Sequence, residues 1–168
     1  MNPGAVSAVV LAVLLLPSTA QAKQADRNQP MDIDAGRTEG TLDDRSPTVM
    51  SNGVIITQGT LHIVSDRAEL HLRNGDIDRA VLTGGPVQMR QEMDDGSPMS
   101  ARAQRVDYNL ASDVITLTGD ARIEQPRGTM AGQRIVYNMA TGQVESGGGG
   151  DNGRVRMRIN PRSAQEGG

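Results

Sequence analysis

From Gln29 to Val144 the apolar residues recur at every second position. Val54/Ile56, Leu61/Ile63, Ala68/Leu70/Leu72, Val87/Met89, Val106/Tyr108/Leu110, Ala121/Ile123 and Ile135/Tyr137/Met139 each put apolar groups on one side of an extended chain and polar groups on the other. Beyond the N-terminal segment no stretch carries a 3.6-residue period, so the pattern predicts short strands and very little helix. Turn-forming residues punctuate the runs at Gln58-Gly59-Thr60, Asn74-Gly75, Gly84-Gly85-Pro86, Asp95-Gly96-Ser97-Pro98, Thr118-Gly119-Asp120, Arg127-Gly128 and Thr141-Gly142. Each is expected to end one strand and begin the next. The fold class that follows is all-β: a sandwich, a barrel or an open roll.

The pattern also repeats. GVIITQ from Gly53, GPVQMRQ from Gly85 and GDARIEQ from Gly119 all run glycine, small apolar, large apolar, glutamine, and the glycines fall 32 and 34 residues apart. A second alternating stretch follows each one. A period of this size predicts stacked hairpin units, none able to bury its apolar face alone, with unpaired edges on the terminal units.

The chain's ends differ from this body. Ala5 to Leu16 is an apolar run followed by Pro17 and the small-residue sequence Ala20-Gln21-Ala22, the pattern of a secretory signal peptide cleaved after Ala22. The run falls short of the roughly 20 apolar residues that a membrane-spanning helix needs. The expected organisation is a signal peptide over 1–22, a polar lead over 23–28, the β-domain over 29–145, a Gly-rich loop over 146–153, an alternating edge strand over 154–160 and a polar tail over 161–168.

Composition sharpens the question of what fills the sheet's interior. The chain has no Phe, no Trp and two Tyr, although aromatics supply about 150–250 Å² of burial apiece in most cores. That absence predicts an interior not filled by the protein itself. Basic and acidic residues number 17 and 20 and are interspersed, so no basic field exists to neutralise phosphates and nucleic acid is not an expected partner. With no Cys there are no disulfides and no thiolate metal sites.

Candidate chemistry is sparse. His62 and His71 share the polar side of their strands, where solvated side chains are the expected reading and a metal pair is not. Asp94-Asp95-Gly96 and Asp151-Asn152-Gly153 resemble fragments of calcium loops but lack the later carboxylates, and read as turns. No phosphate-binding loop, nucleophile elbow or zinc-protease motif occurs in the exported part. The reading is a non-enzyme with no cofactor and no metal. Two functions remain open: a secreted structural or adhesive β-domain with an ordinary packed core, or a groove for aliphatic chains lined by Val, Ile, Leu, Met and Ala.

Four blocks bear on that choice. They are Gln29-Pro30-Met31-Asp32-Ile33-Asp34-Ala35; Val54-Ile55-Ile56-Thr57-Gln58-Gly59-Thr60 with Ile63-Val64-Ser65-Asp66; Gly85-Pro86-Val87-Gln88-Met89-Arg90-Gln91 with Asp95-Gly96-Ser97-Pro98 and Val106-Asp107-Tyr108; and Leu117-Thr118-Gly119-Asp120-Ala121 with Gly132 to Tyr137. In this order they resemble the OstA-like family of lipopolysaccharide export proteins over most of Gln29 to Val144. Gly36 departs from it, standing where that family usually has Asp, and aliphatics replace most of its aromatics.

The resemblance implies an open antiparallel β-jelly roll with a V-like section, placed in the periplasm, whose apolar inside takes the acyl chains of lipopolysaccharide. The inward positions read from the alternation then become its lining: Val54, Ile56, Leu61, Ile63, Ala68, Leu70, Val87, Met89, Val106, Tyr108, Ala121, Ile123, Ile135 and Tyr137. It further implies assembly at the edges. Met31 and Ile33 would meet an LptC-like inner-membrane subunit, Val155, Met157 and Ile159 an LptD-like outer-membrane protein, and copies of the chain would join as a head-to-tail homo-oligomer. Arg73 is a candidate for touching phosphate at the groove mouth, beside its plainer reading as a solvated strand-end charge.

Overall fold

The computed structural model describes residues 26, 28–41, 43–147 and 154–161. The expected signal peptide, most of the polar lead, the Gly-rich loop from residue 148 to 153 and the tail from 162 lie outside the described residues. All described elements are strands: β1 Met31–Glu39, β2 Thr48–Gln58, β3 Leu61–Arg73, β4 Asp76–Glu92, β5 Pro98–Asn109, β6 Val114–Gln125, β7 Gly128–Asn138, β8 Val144–Ser146 and β9 Arg156–Ile159. They form one antiparallel sheet in simple meander order from β1 to β8. β9 lies beside β8 along the outer edge of β7, pairing Gly128 to Ala131 while β8 pairs Ile135 to Tyr137.

The expectation of short strands is corrected here. β4 runs for 17 residues and β3 for 13, because two of the expected turns are not turns. Gly84-Gly85-Pro86 lies inside β4 and Thr118-Gly119-Asp120 inside β6. Both are bends at which the pairing register slips, and a matching slip occurs in each neighbouring pair, at Ala35/Arg37, Ser51/Val54, Val64/Arg67, Arg102/Arg105 and Thr118/Ala121. The irregularities line up into a row that crosses the sheet at right angles to its strands. A β-bulge bends a strand and strengthens its local twist, so a row of bulges folds the whole sheet into two leaves.

The bulges also set which residues face inward. In β3 the buried set changes from Leu61, Ile63 and Ser65 to Ala68 and Leu70, and in β4 from Ala80 and Leu82 to Val87, Met89 and Gln91. The step across the bend is odd in both strands, from Ser65 to Ala68 and from Leu82 to Val87, so the irregularity keeps the apolar side chains inside on both leaves. The result is one contiguous cluster, Val54 to Met139, built from both leaves.

Side chains brace the bend, one of them by taking a backbone group that pairing leaves free. The Asp66 carboxylate accepts the Gly85 N–H at 3.1 Å, and the Gln104 amide donates to Asp120 at 3.3 Å. Gly36, the departure noted above, sits on the same row: a Cβ there would stand 2.7 Å from the Asn52 carbonyl oxygen, so strands β1 and β2 approach too closely for a side chain. Gly119 adopts φ 80°, and a Cβ would stand 2.9 Å from that of Gln104.

Replacing Gly119 by Val is therefore expected to cost about 1–3 kcal/mol through backbone strain and the clash with Gln104. Ser65→Ala should have the opposite sign, raising stability by up to about 1 kcal/mol, because the Ser65 hydroxyl is buried without a hydrogen-bond partner among the described residues. Denaturant midpoints of the two variants check both signs.

Candidate functional site

The fourteen residues expected to line a groove all face the space between the leaves, and none is more than 3% exposed. The alternation thus identified the inner face correctly, but that face is closed. The prediction of an interior left empty by the protein does not describe this structure: Leu, Ile, Val, Met and Ala from the two leaves meet and fill it. Tyr108 and Tyr137 both lie inside, flanking Ile115 across three neighbouring strands.

The reading missed part of the lining. Ala80 and Leu82 in the first half of β4, Met99, Ala101 and Ala103 in β5, and Ile115 and Leu117 in β6 are equally buried. For β6 the signal was present, since Val114-Ile115-Thr116-Leu117 alternates. For β4 the run Ala80-Val81-Leu82 has no alternation to read.

Beside the C-terminal edge an open apolar pocket of about 140 Å³ lies among Ile123, Gln125, Met130, Val144, Met157 and Ile159, with Arg127 and Arg158 also bordering it. Because β9 has a neighbour on one side only, Met157 and Ile159 are 59% and 75% exposed, although they occupy inward positions opposite Met130 and Gly128. At the opposite end of the sheet Met31 and Ile33 on β1 face inward against the core. Val155 belongs to the same exposed set but precedes β9.

The outward faces of the two edges carry opposite charge. On β1 they are Asp32 and Asp34, exposed and alternating with Met31 and Ile33; on β9 they are Arg156 and Arg158, alternating with Met157 and Ile159. At Met31 to Asp34 on β1 and along β9 each edge thus presents an unpaired backbone with apolar side chains on one face and a single sign of charge on the other.

The remaining polar groups form local pairs. Arg79 forks onto Asp107, donating from Nε at 2.7 Å, and this hydrogen-bonded guanidinium holds the Asp107 carboxyl below the usual carboxylate range, against a smaller opposing effect of burial. Arg73 stands 3.3 Å from Asp78 and is itself largely exposed, the strand-end charge of its plainer reading. The Asp95 carboxylate accepts the Ser97 N–H at 2.9 Å and is shifted down by its hydrogen bonds to Ser97, so this segment is a turn; Asp151-Asn152-Gly153 lies outside the described residues. His62 and His71 project from the outer face. Among the described residues no group of three or more His, Cys, Asp or Glu stands close enough to hold a metal ion.

Comparison with known proteins places this architecture. The profile of the family described as LptA/(LptD N-terminal domain) LPS transport protein matches residues 32–143. The lipopolysaccharide export system protein LptA of Haemophilus influenzae is 28% identical over 157 residues, covering 92% of this chain and 90% of that protein. The LptA of Escherichia coli (strain K12) is 32% identical over 133 residues, covering 77% and 71%. Among solved structures, that of LptH, the LptA homologous periplasmic component of the lipopolysaccharide transport device of Pseudomonas aeruginosa, superposes with a TM-score of 0.73 at 24% identity. It covers 81% of this chain and 99% of the other, and shares its fold.

Proposed function

The chain belongs to the LptA/LptD N-terminal-domain family of LPS transport proteins, and from that premise we propose that it is a periplasmic carrier that passes lipopolysaccharide from the inner toward the outer membrane. The observation that carries this reading is the aliphatic inner face, which runs without interruption from one open sheet edge to the other.

The physical task is to move acyl chains through water. Each exposed methylene costs about 0.8 kcal/mol, so a chain of about a dozen carbons loses roughly 10 kcal/mol whenever it leaves a membrane unprotected. A continuous apolar track removes that barrier. Tight binding at one station would replace the barrier with a trap, so a lining made mostly of Val, Ile, Leu and Met, adaptable and weakly interacting, suits transfer.

The closed interior is then the unloaded state. An acyl chain would enter as the two leaves part about their row of bulges, exchanging contacts between leaves for contacts with the chain, and the open apolar pocket beside β9 is the entry point nearest an edge. Arg127 and Arg158 border that pocket and suit an anionic headgroup left outside. A core of this density is also what an ordinary secreted β-domain would have, so lipid binding decides between the two readings.

The edges supply the partners. An LptC-like inner-membrane subunit would pair with β1 and an LptD-like outer-membrane protein with β9, each adding a strand and extending the inner face. Copies of the chain would join head to tail by the same pairing, a heterologous contact that does not close and so grows. Here Met31 and Ile33 would meet Met157 and Ile159 inside, while Asp32 and Asp34 meet Arg156 and Arg158 outside.

Met157→Asp places a charge at the open end of the track on an exposed residue. It should weaken lipopolysaccharide binding by about tenfold, roughly 1.4 kcal/mol, with an unchanged melting temperature. Arg156→Gln, outward on the same strand, should leave binding intact. Equal affinities of wild type and Met157→Asp, measured by titration of the purified chain, count against the carrier reading.

Self-association should depend on the edge charges. Arg156→Asp with Arg158→Asp is expected to abolish oligomers in sedimentation, and mixing this variant with Asp32→Arg/Asp34→Arg to restore association between the two. Oligomers indifferent to both changes would place the contact elsewhere.

A further inference from the structure

The internal repeat ends each time in glutamine, and the carrier reading does not by itself explain that residue. Gln58, Gln91 and Gln125 are the last inward positions of β2, β4 and β6, continuing the inward series Val54/Ile56, Val87/Met89 and Ala121/Ile123. They stand on one leaf, at one height, on alternate strands. Their neighbours in register are apolar or small: Met31 and Leu61 beside Gln58, Met99 beside Gln91, and Gly128 beside Gln125. Strands lie about 4.8 Å apart, so the three amides repeat roughly every 10 Å along the axis that joins the two open edges.

An amide facing an apolar interior is unfavourable unless it has a partner. Gln91 is 4% exposed, and its Oε1 has no hydrogen-bond partner among the described residues. Gln125 faces the open apolar pocket beside β9 together with Ile123, Met130 and Met157. Gln58, at the N-terminal edge, occupies the matching register position and donates from Nε2 to the Gln29 carbonyl at 3.2 Å. Core packing alone favours Leu or Met at such positions, as the neighbouring strands show. A buried acceptor without a donor, at the polar end of an apolar track, marks the place where a ligand brings one.

Resting on the carrier reading, we propose that Gln58, Gln91 and Gln125 form an acceptor ladder for the hydrogen-bond donor that joins an acyl chain to its headgroup, an amide N–H or a hydroxyl near the chain's polar end. The chain fills the interior while its donor meets one glutamine oxygen. Equal spacing makes successive positions alike, so the ligand moves one step along the axis by exchanging one neutral hydrogen bond for an equivalent one. The ladder sets the depth of the ligand in the roll and discriminates acyl chains with a donor from those without.

The test uses the full exported chain and two probes below their micellar concentrations, each measured by displacement of a fluorescent fatty acid. The probes are N-dodecanoylglucosamine and its N-methyl analogue, which keeps the chain and the carbonyl but lacks the amide N–H. Wild type should prefer the secondary amide by about 3- to 10-fold, the worth of one neutral hydrogen bond. In Gln58→Leu/Gln91→Leu/Gln125→Leu the preference should vanish while affinity for the N-methyl probe persists. Gln125→Leu alone, at a half-buried site, should reduce the preference even if the triple variant does not fold. Two probes bound equally well by wild type, or a preference that survives the substitutions, would overturn the ladder and leave the carrier reading standing. Binding of neither probe would overturn both.

Discussion

A single sheet with one apolar face and no second layer has to cover that face with itself. Among the described residues nothing else is available: every element is a strand, and all nine belong to the same sheet. The row of bulges from Gly36 to Gln133 is the means, since it folds each long strand at its middle and brings the two leaves together. Asp66, Gln104, Gly36 and Gly119 serve that row: Asp66 accepts a freed backbone N–H, Gln104 holds the Asp120 side chain across the bend, and the glycines allow strands to approach.

The same solution leaves features that a closed barrel would lack. A sheet folded across its strands still ends at a first and a last strand, so β1 at one end and β8 with β9 at the other keep one side unpaired, and the apolar face between the leaves runs toward both. The edges are thus at once the openings of the interior and templates for another strand. Their outward charges, acidic on β1 and basic on β9, favour joining unlike ends over like ends. In the carrier reading proposed above, the track for acyl chains and the means of lengthening it would both follow from one piece of geometry.

Much of this was legible in the sequence, and the failures have specific physical causes. Val54/Ile56 and Ala121/Ile123 alternate without interference, and their inward orientation follows. Asn74-Gly75 is a two-residue hairpin whose positive φ angles, 56° and 86°, are what Asn-Gly predicts. Gly84-Gly85-Pro86 was misread because glycine and proline signal a departure from regular strand without saying whether the chain reverses or only bends; the neighbouring strands decide that, and they are far away in sequence. Ala80-Val81-Leu82 carries no alternation, so its strand was missed. The absence of Phe and Trp was taken for an empty interior, yet how closely two leaves approach depends on their mutual packing, and Leu82, Met89, Met99 and Leu117 fill the narrower space that results. Gln91 looked like an ordinary strand residue, since its burial emerges only once the leaf is assembled.

The central claim is that acyl chains pass between the two leaves. Site-specific photocrosslinking from Ile123 tests it most directly, carried out in the cell that exports the protein and read by probing for lipopolysaccharide adducts. Ile123 faces the interior beside the open apolar pocket, whereas its neighbour Arg122 faces outward and pairs with Glu124. Adducts from position 123 and not from 122 are the predicted result. Adducts from neither position in a folded, exported protein, or equally from both, would contradict it.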